Sequence, residues 1–151
     1  MVLAAPYAWR SLTDFGTPFV SPAPLPADLW PLLNKFYRDQ RSAMRGDKAA
    51  RAWVTRRGEI IAALNLTPVA DGHWLTGLLV AQAWRGQGVA GELIEQAVAS
   101  VTGPVWLFCD PALAGFYQRS GFIERYDLPQ VLNERLVRYQ RNKALIAMAR
   151  L

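Results

Sequence analysis

Apolar residues recur along the chain with two different periods, and the places where the period changes mark the elements. A helix is predicted over residues 29–38, with Asp28 offering an N-cap and Pro31 tolerated in the first turn, where its missing N–H costs little. The polar, basic stretch 39–51 reads as a second helix or a loop. From Ala52 the period shortens. Trp53, Val54 and Thr55, a turn at Arg57-Gly58, and then residues 60–67 read as two antiparallel strands. A break over 68–72, holding Asp71-Gly72, leads into 74–81, which is apolar and β-branched enough for a central strand. Val89, Ala90, Leu93, Ile94, Ala97 and Val98 return to helical spacing, with Glu92, Glu95 and Gln96 on the opposite side. Gly103-Pro104 ends that helix, and 105–109, "VWLFC", is a short buried strand of the kind used in parallel pairing. Strand, helix and strand in this order make one right-handed crossover unit. Asp110 then caps a further helix with Pro111 at its first position, and Gly121 stops it.

Composition agrees with a single packed domain over 1–151: the 151 residues are 52% hydrophobic and 19% charged, and no internal repeat or low-complexity tract interrupts them. The Pro-rich stretch 17–27 lies too near the N-terminus to divide two domains. One cysteine allows no intramolecular disulfide and suits a reducing compartment. Prolines 6, 18, 22, 24 and 26 break up the apolar N-terminus, which argues against a signal peptide, and no run reaches the ~18 apolar residues of a membrane span. A cytoplasmic protein with no membrane partner is expected. The net charge of +5 is local, because Arg135, Arg138, Arg141, Lys143 and Arg150 against Glu134 give the tail +4 (5 minus 1). Leu136, Val137, Leu145, Ile146 and Met148 interleave with these charges, so the tail reads as a basic last helix over about 131–151 with a solvated face. Nucleic acid is disfavoured as a partner, since no aromatic stacking set accompanies the cations.

The chemistry concentrates in "LLVAQAWRGQGVAGELI", residues 78–94, whose glycines fit two phosphate patterns. From Gly86, Gly-x-Gly-x-x-Gly matches a dinucleotide fingerprint, with Asp110 at about ~20 residues as a ribose-binding acid. From Arg85, the letters give Arg-x-x-Gly-x-Ala, a loop suited to the pyrophosphate of coenzyme A. The first reading needs further strand and helix units after the loop, and too few follow; four residues, Gln82 to Arg85, also separate the strand from Gly86. In the second, the Arg85 guanidinium and the N–H groups of Gln87 to Ala90 opening a helix form a donor-rich nest, and glycines let the main chain approach the ligand. Asp110 is then better explained as a helix cap.

With this loop and the later stretch "VWLFCDPALAGFYQRSGF", residues 105–122, the chain resembles the GNAT superfamily of acyl-CoA-dependent N-acetyltransferases over roughly residues 75–125. The resemblance implies an α/β (mixed α+β) fold with a central mixed, mostly antiparallel sheet, flanked by helices and splayed at the cofactor site. It implies acetyl-CoA as cosubstrate, no metal, and direct acetyl transfer to the primary amine of a small molecule, amino acid or peptide. Leu79, Val80 and Ala81 would pair with the pantetheine arm, the N–H near Val80 holding the thioester carbonyl. Arg85, Gly86, Gln87, Gly88, Val89 and Ala90 would hold the pyrophosphate, with Phe116 beside the cofactor or in the core.

Tyr117 matches the family's general acid, with packing or cofactor orientation as the other reading. Family members often place a glutamate base at the start of the central strand; this sequence has His73-Trp74-Leu75-Thr76 there. His73, the only histidine, is the candidate base, with Glu59, Asp71 or a water chain as alternatives and a plain surface residue as the structural one. Arg119 reads as a phosphate contact or an exposed helix charge, and Cys109 as a small core residue rather than a nucleophile. Tyr37, Arg38, Arg41 and Arg45 suggest an acceptor bearing a carboxylate, though a solvated helix face explains them equally well. The resemblance leaves a homodimer open. Two other functions fit the same features: a regulatory module that binds acyl-CoA without turnover, and an RNA-directed acetyltransferase using the basic tail.

Overall fold

A computed structural model describes residues 20–46 and 48–151. Expectations about residues 1–19, the missing signal peptide among them, lie outside the described residues. Seven strands form one sheet in the order β1-β2-β3-β4-β5-β7-β6: β1 (Val20–Pro24), β2 (Arg51–Arg57), β3 (Glu59–Val69), β4 (Gly72–Val80), β5 (Val105–Cys109), β6 (Ile123–Glu124) and β7 (Ile146–Arg150). Every pairing is antiparallel except β4 with β5. This is the mixed, mostly antiparallel sheet expected from the sequence.

Alternation along the strands sends apolar side chains to both faces. On one face, Leu64, Leu66 and Leu75 pack with Leu93, Ile94, Ala97 and Val98 of helix α2 (Val89–Ala99) and with Tyr117 of the short helix α3 (Ala114–Gln118). On the other face, Leu33, Phe36 and Tyr37 of helix α1 (Trp30–Asp39) cover Ala52, Val54 and Ala63. Beside them, Leu132 of helix α4 (Gln130–Tyr139) packs on Trp106 and Ala149. The sheet is therefore sandwiched by α2 and α3 on one side and by α1 and α4 on the other.

Several boundaries differ from the sequence reading; β3 runs on to Val69 and β4 spans Gly72–Val80, which leaves only Ala70 and Asp71 of the predicted break over 68–72. Asp28 falls inside a 3₁₀ turn, Ala27–Leu29, and α1 starts at Trp30 without a side-chain cap. Among the described residues, the stretch after α1 holds no helix up to β2; Gly46 N–H donates to Asn34 Oδ1 at 2.9 Å and ties it to α1. The largest correction is the tail. The predicted helix over 131–151 ends at Tyr139, and Ile146–Arg150 is a strand paired along its whole length with β5 and at Ala149 and Met148 with β6. Ala, Met and Leu favour helix intrinsically, but a helix there would leave the β5 edge without partners. Ala147, Met148 and Ala149 are fully buried in this slot.

Candidate functional site

The parallel strands β4 and β5 stay together for two residue pairs only, His73 with Val105 and Trp74 with Trp106. Beyond Trp74 each keeps its outer neighbour, β4 pairing with β3 as far as Val80 and β5 with β7 as far as Cys109. From Leu75 to Val80 the inner edge of β4 faces a gap. Unpaired edge N–H and C=O groups are a template for an extended partner.

The shape of this edge is set from behind. The β3–β4 register shifts between Ala63 and Asn65, and Gly77 takes φ +67° at the irregularity. The Tyr37 hydroxyl donates to the Gly77 carbonyl at 2.7 Å, and Asn65 Nδ2 donates to that hydroxyl at 3.2 Å. A Cβ on Gly77 would lie 2.8 Å from both Asn65 Nδ2 and Tyr37 Oη, so only glycine fits. Burial pushes the Tyr37 phenol up to about 12, against the smaller opposing effect of Asn65. Tyr37 is thus a buried strut, apart from the exposed Arg38, Arg41 and Arg45 with which the sequence grouped it.

A cavity of about 920 Å³ opens at the gap between β4, the start of α2, and α3. Its lining includes Leu79, Val80, Arg85, Gly86, Gly88, Val89 and Ala90, together with Phe116, Tyr117 and Arg119. After a 3₁₀ turn (Gln82–Trp84) the chain is extended at Arg85, and Gly86 (φ +74°) and Gly88 (φ +79°) then turn it into α2. A Cβ on Gly86, Gly88 or Gly91 would meet nothing within 4 Å, so the space above this loop is open. The first-turn N–H groups of an α-helix have no intrahelical acceptor and carry the positive end of its dipole. With Arg85 and Arg119 in the lining, and Glu95 engaged by Arg150 at 2.8 Å, the cavity suits an anion.

Arg85 Nε donates to the Val80 carbonyl at 3.0 Å, which folds its side chain against the end of β4. Two residues expected at the cofactor stand apart from the lining. Ala81 commits its N–H to the Ile61 carbonyl at 2.7 Å and packs with the α1 cluster. Gln87 turns its side chain to the Ala83 carbonyl at 3.3 Å. Trp84, Leu113, Ser120, Gly91, Glu95 and Leu78 also line the cavity, and the sequence reading missed them. Leu78, Trp84 and Gly91 lie inside the quoted loop and so had a local signal.

Tyr117 is 8% exposed, with Phe116 edge-on at 5.0 Å and Phe122 at 6.0 Å between ring centroids. Burial pushes its phenol up to about 12, with a smaller contribution from Cys109. Cys109 is buried with Sγ 3.7 Å from Met148 Sδ, and its thiol is pushed up by burial and then by Asp110, which disfavours a nucleophilic thiolate. Asp110 accepts from Ala112 N–H at 2.8 Å, the cap read from the sequence.

His73 does not join this group. It sits at the start of β4, seven residues before Val80, or about 23 Å along a strand. There it lines a separate cavity with Trp53, Pro68 and Val101. Asp71 occupies the neighbouring turn, and Glu59 borders a shallow cavity beside α1, so neither alternative base lines the main cavity. The reason is geometric: His73 stands at the end of β4 remote from the loop, and the gap opens only after Trp74.

The family model for an acetyltransferase (GNAT) domain matches residues 48–124. Among solved structures the fold is similar to that of Escherichia coli ElaA, at 19% identity over 87% of this chain and 100% of that one, with TM-score 0.64. It is also similar to YhbS, a GNAT family N-acetyltransferase from Escherichia coli solved with CoA, at 19% identity over 91% of this chain and 83% of that one, with TM-score 0.65. A third likeness is the ribosomal-protein-S18-alanine N-acetyltransferase of Escherichia coli, at 17% identity, 86% and 92% coverage, and TM-score 0.63. No curated protein matches the chain. Among the described residues no helix is long and apolar enough to cross a membrane.

Proposed function

Because the chain belongs to the GNAT acetyltransferase family, we propose that it transfers an acetyl group from acetyl-CoA directly to a primary amine. The observation that carries this reading is the gap between β4 and β5 leading into an anion-suited cavity. The loop from Arg85 to Ala90 and Arg119 receive the phosphates. The edge of β4 from Leu78 to Val80 pairs with the pantetheine arm, and Leu113, Phe116 and Trp84 supply apolar surface. All of these except Gln87 line the one cavity. Together they fit the group without moving the backbone, since the two positive-φ glycines leave the loop uncovered.

In the reaction the amine nitrogen bonds to the thioester carbonyl carbon and the C–S bond breaks. The nitrogen gives up one proton and the sulfur gains one. A backbone N–H on the free edge near Val80 stabilises the charge on the carbonyl oxygen. Tyr117, protonated at any working pH, donates a hydrogen bond to the sulfur. With the phenol at about 12 and a thiol near 8.5, a completed transfer from Tyr117 runs uphill by roughly 5 kcal/mol. Its main role is therefore to stabilise the leaving thiolate, with the final proton coming from solvent. Among the described residues the ion-paired Glu95 is the one carboxylate or histidine lining the cavity, and water carries away the amine proton.

Purified protein with acetyl-CoA and a panel of amines tests the reading by thiol release. Release with some amine, slowed in Tyr117→Phe, supports it. Calorimetry that finds no acetyl-CoA binding overturns it, and tight binding with no turnover on any amine favours the regulatory module.

A further inference from the structure

The cavity that suits an anion carries one anion of its own. Gly88, Gly91 and Glu95 are spaced three and four residues apart, so they form one stripe along α2, and all three line the cavity. The two glycines leave the space above the loop open, whereas Glu95 adds the one acidic group of the lining among the described residues. Seven residues of helix place Glu95 about 10 Å beyond Gly88, close to one Debye length at physiological salt. Helical side chains lean towards the N-terminus, so an unheld Glu95 would point back at the first-turn N–H groups that receive the phosphates. A carboxylate there repels them.

A residue from outside the cavity restrains it. Arg150, which the sequence groups with the basic tail, is the last residue of β7. Its Nη1 donates to Glu95 Oε1 at 2.8 Å and to the Ser120 carbonyl at 3.1 Å, and its Nη2 stands 3.5 Å from Glu95 Oε2. Glu95 and Ser120 both line the cavity, whereas Arg150 does not. The stem of Arg150 passes over the turn that follows α3, since a Cβ on Gly121 would lie 3.5 Å from its Cδ. One guanidinium thus ties β7 to α2 and to the end of α3. With the two side chains 30% and 54% exposed, such a pair contributes little to stability. What it changes is the charge a ligand meets: with Glu95 paired, the charge left to the lining is that of Arg85 and Arg119.

We propose that Arg150 is a positioning residue for acyl-CoA: by holding Glu95 and neutralising it, Arg150 keeps the cavity receptive to the phosphates of the cofactor. The inference rests on the acyl-CoA reading of the cavity and adds to it a residue that acts from outside the lining. Removing Arg150 alone leaves a bare carboxylate in an anion site. Removing both partners leaves neither charge, so the defect of the first change is repaired by the second.

Calorimetric titration of the full chain with CoA tests this. Arg150→Gln should bind CoA about 10-fold more weakly, the effect expected of one uncompensated like charge near a polyanion. Glu95→Gln should bind as tightly as the wild type or more tightly, and the double variant should return to within about 3-fold of it. Arg150→Lys, which keeps the charge, should lose little. Raising KCl from about 0.05 to 0.5 M should shrink the Arg150→Gln deficit, because salt screens a charge effect and leaves a packing effect alone. An unchanged Kd in Arg150→Gln overturns the proposal. So does a deficit that Glu95→Gln fails to repair, which would make the tie purely structural, and so does weaker binding in Glu95→Gln alone, a result that can be read whether or not Arg150→Gln folds. A wild-type protein that binds no CoA overturns the acyl-CoA reading itself and this proposal with it.

Discussion

Tyr37 and Gly77 are joined by a 2.7 Å hydrogen bond across forty residues of sequence, and through it helix α1 fixes the bend in the free edge of β4. Tyr37→Phe leaves the Gly77 carbonyl and Asn65 Nδ2 without this partner in a buried site. Loss of about 1–3 kcal/mol in urea unfolding is expected, with a raised KM for acetyl-CoA because the β4 edge loses its shape. A variant as stable as the wild type would show that the bond is dispensable.

Gly77→Ala should be costlier than an ordinary strand glycine replacement. Positive φ alone costs a residue with a Cβ about 1–2 kcal/mol. The added atom also stands 2.8 Å from two polar atoms of the strut, so Tyr37 must move. Thermal unfolding of Gly77→Ala beside Tyr37→Phe and the double variant reports whether the two act as one unit, as the contact requires.

Gly86 and Gly88 make the opposite prediction. Nothing stands within 4 Å of a Cβ at either, so Gly88→Ala should lose only about 1–2 kcal/mol, the cost of its positive φ to a residue with a Cβ. The same side chain stands in the cavity, and a calorimetric Kd for CoA at least roughly 10-fold weaker is expected, about 1.4 kcal/mol.

For Tyr117→Phe, removal of a hydrogen bond made to a developing thiolate should lower kcat about 10- to 100-fold while leaving the KM for acetyl-CoA little changed. Since the phenol is held at about 12, the wild-type rate should show no Tyr117-linked fall at any pH below about 11. An alkaline limb lost in Tyr117→Phe would contradict this.

Stability should also depend on pH at the alkaline end. Phenols of the unfolded chain ionise near 10, whereas Tyr37 and Tyr117 keep their protons to about 12. Their contribution is complete below pH 10 and is lost as pH rises towards 12, at up to ~1.4 kcal/mol per pH unit for each. Urea unfolding at pH 9 to 11.5 measures the slope, and each Phe variant should reduce it.

What was legible in the chain was what depends on neighbours in sequence. The turn into α2 needs positive φ at two residues, and Gly86 and Gly88 announce it. Asp110 before Pro111 announces a cap, and the period change at Ala52 announces the hairpins. The basic tail misled because Ala, Leu and Met carry a helix preference that says nothing about an open strand edge waiting beside β5. His73 misled because proximity to the central strand in sequence is not proximity to its open end.

By itself, the sequence determined the run of elements from α1 to α3 and the glycine turn into α2, because backbone conformation there is set by the residues present. The tertiary structure alone decided where β4 and β5 part, that Tyr37 braces Gly77, and that Arg150 holds Glu95. Those are contacts between segments tens of residues apart, made by packing both faces of one sheet, and no local preference encodes them.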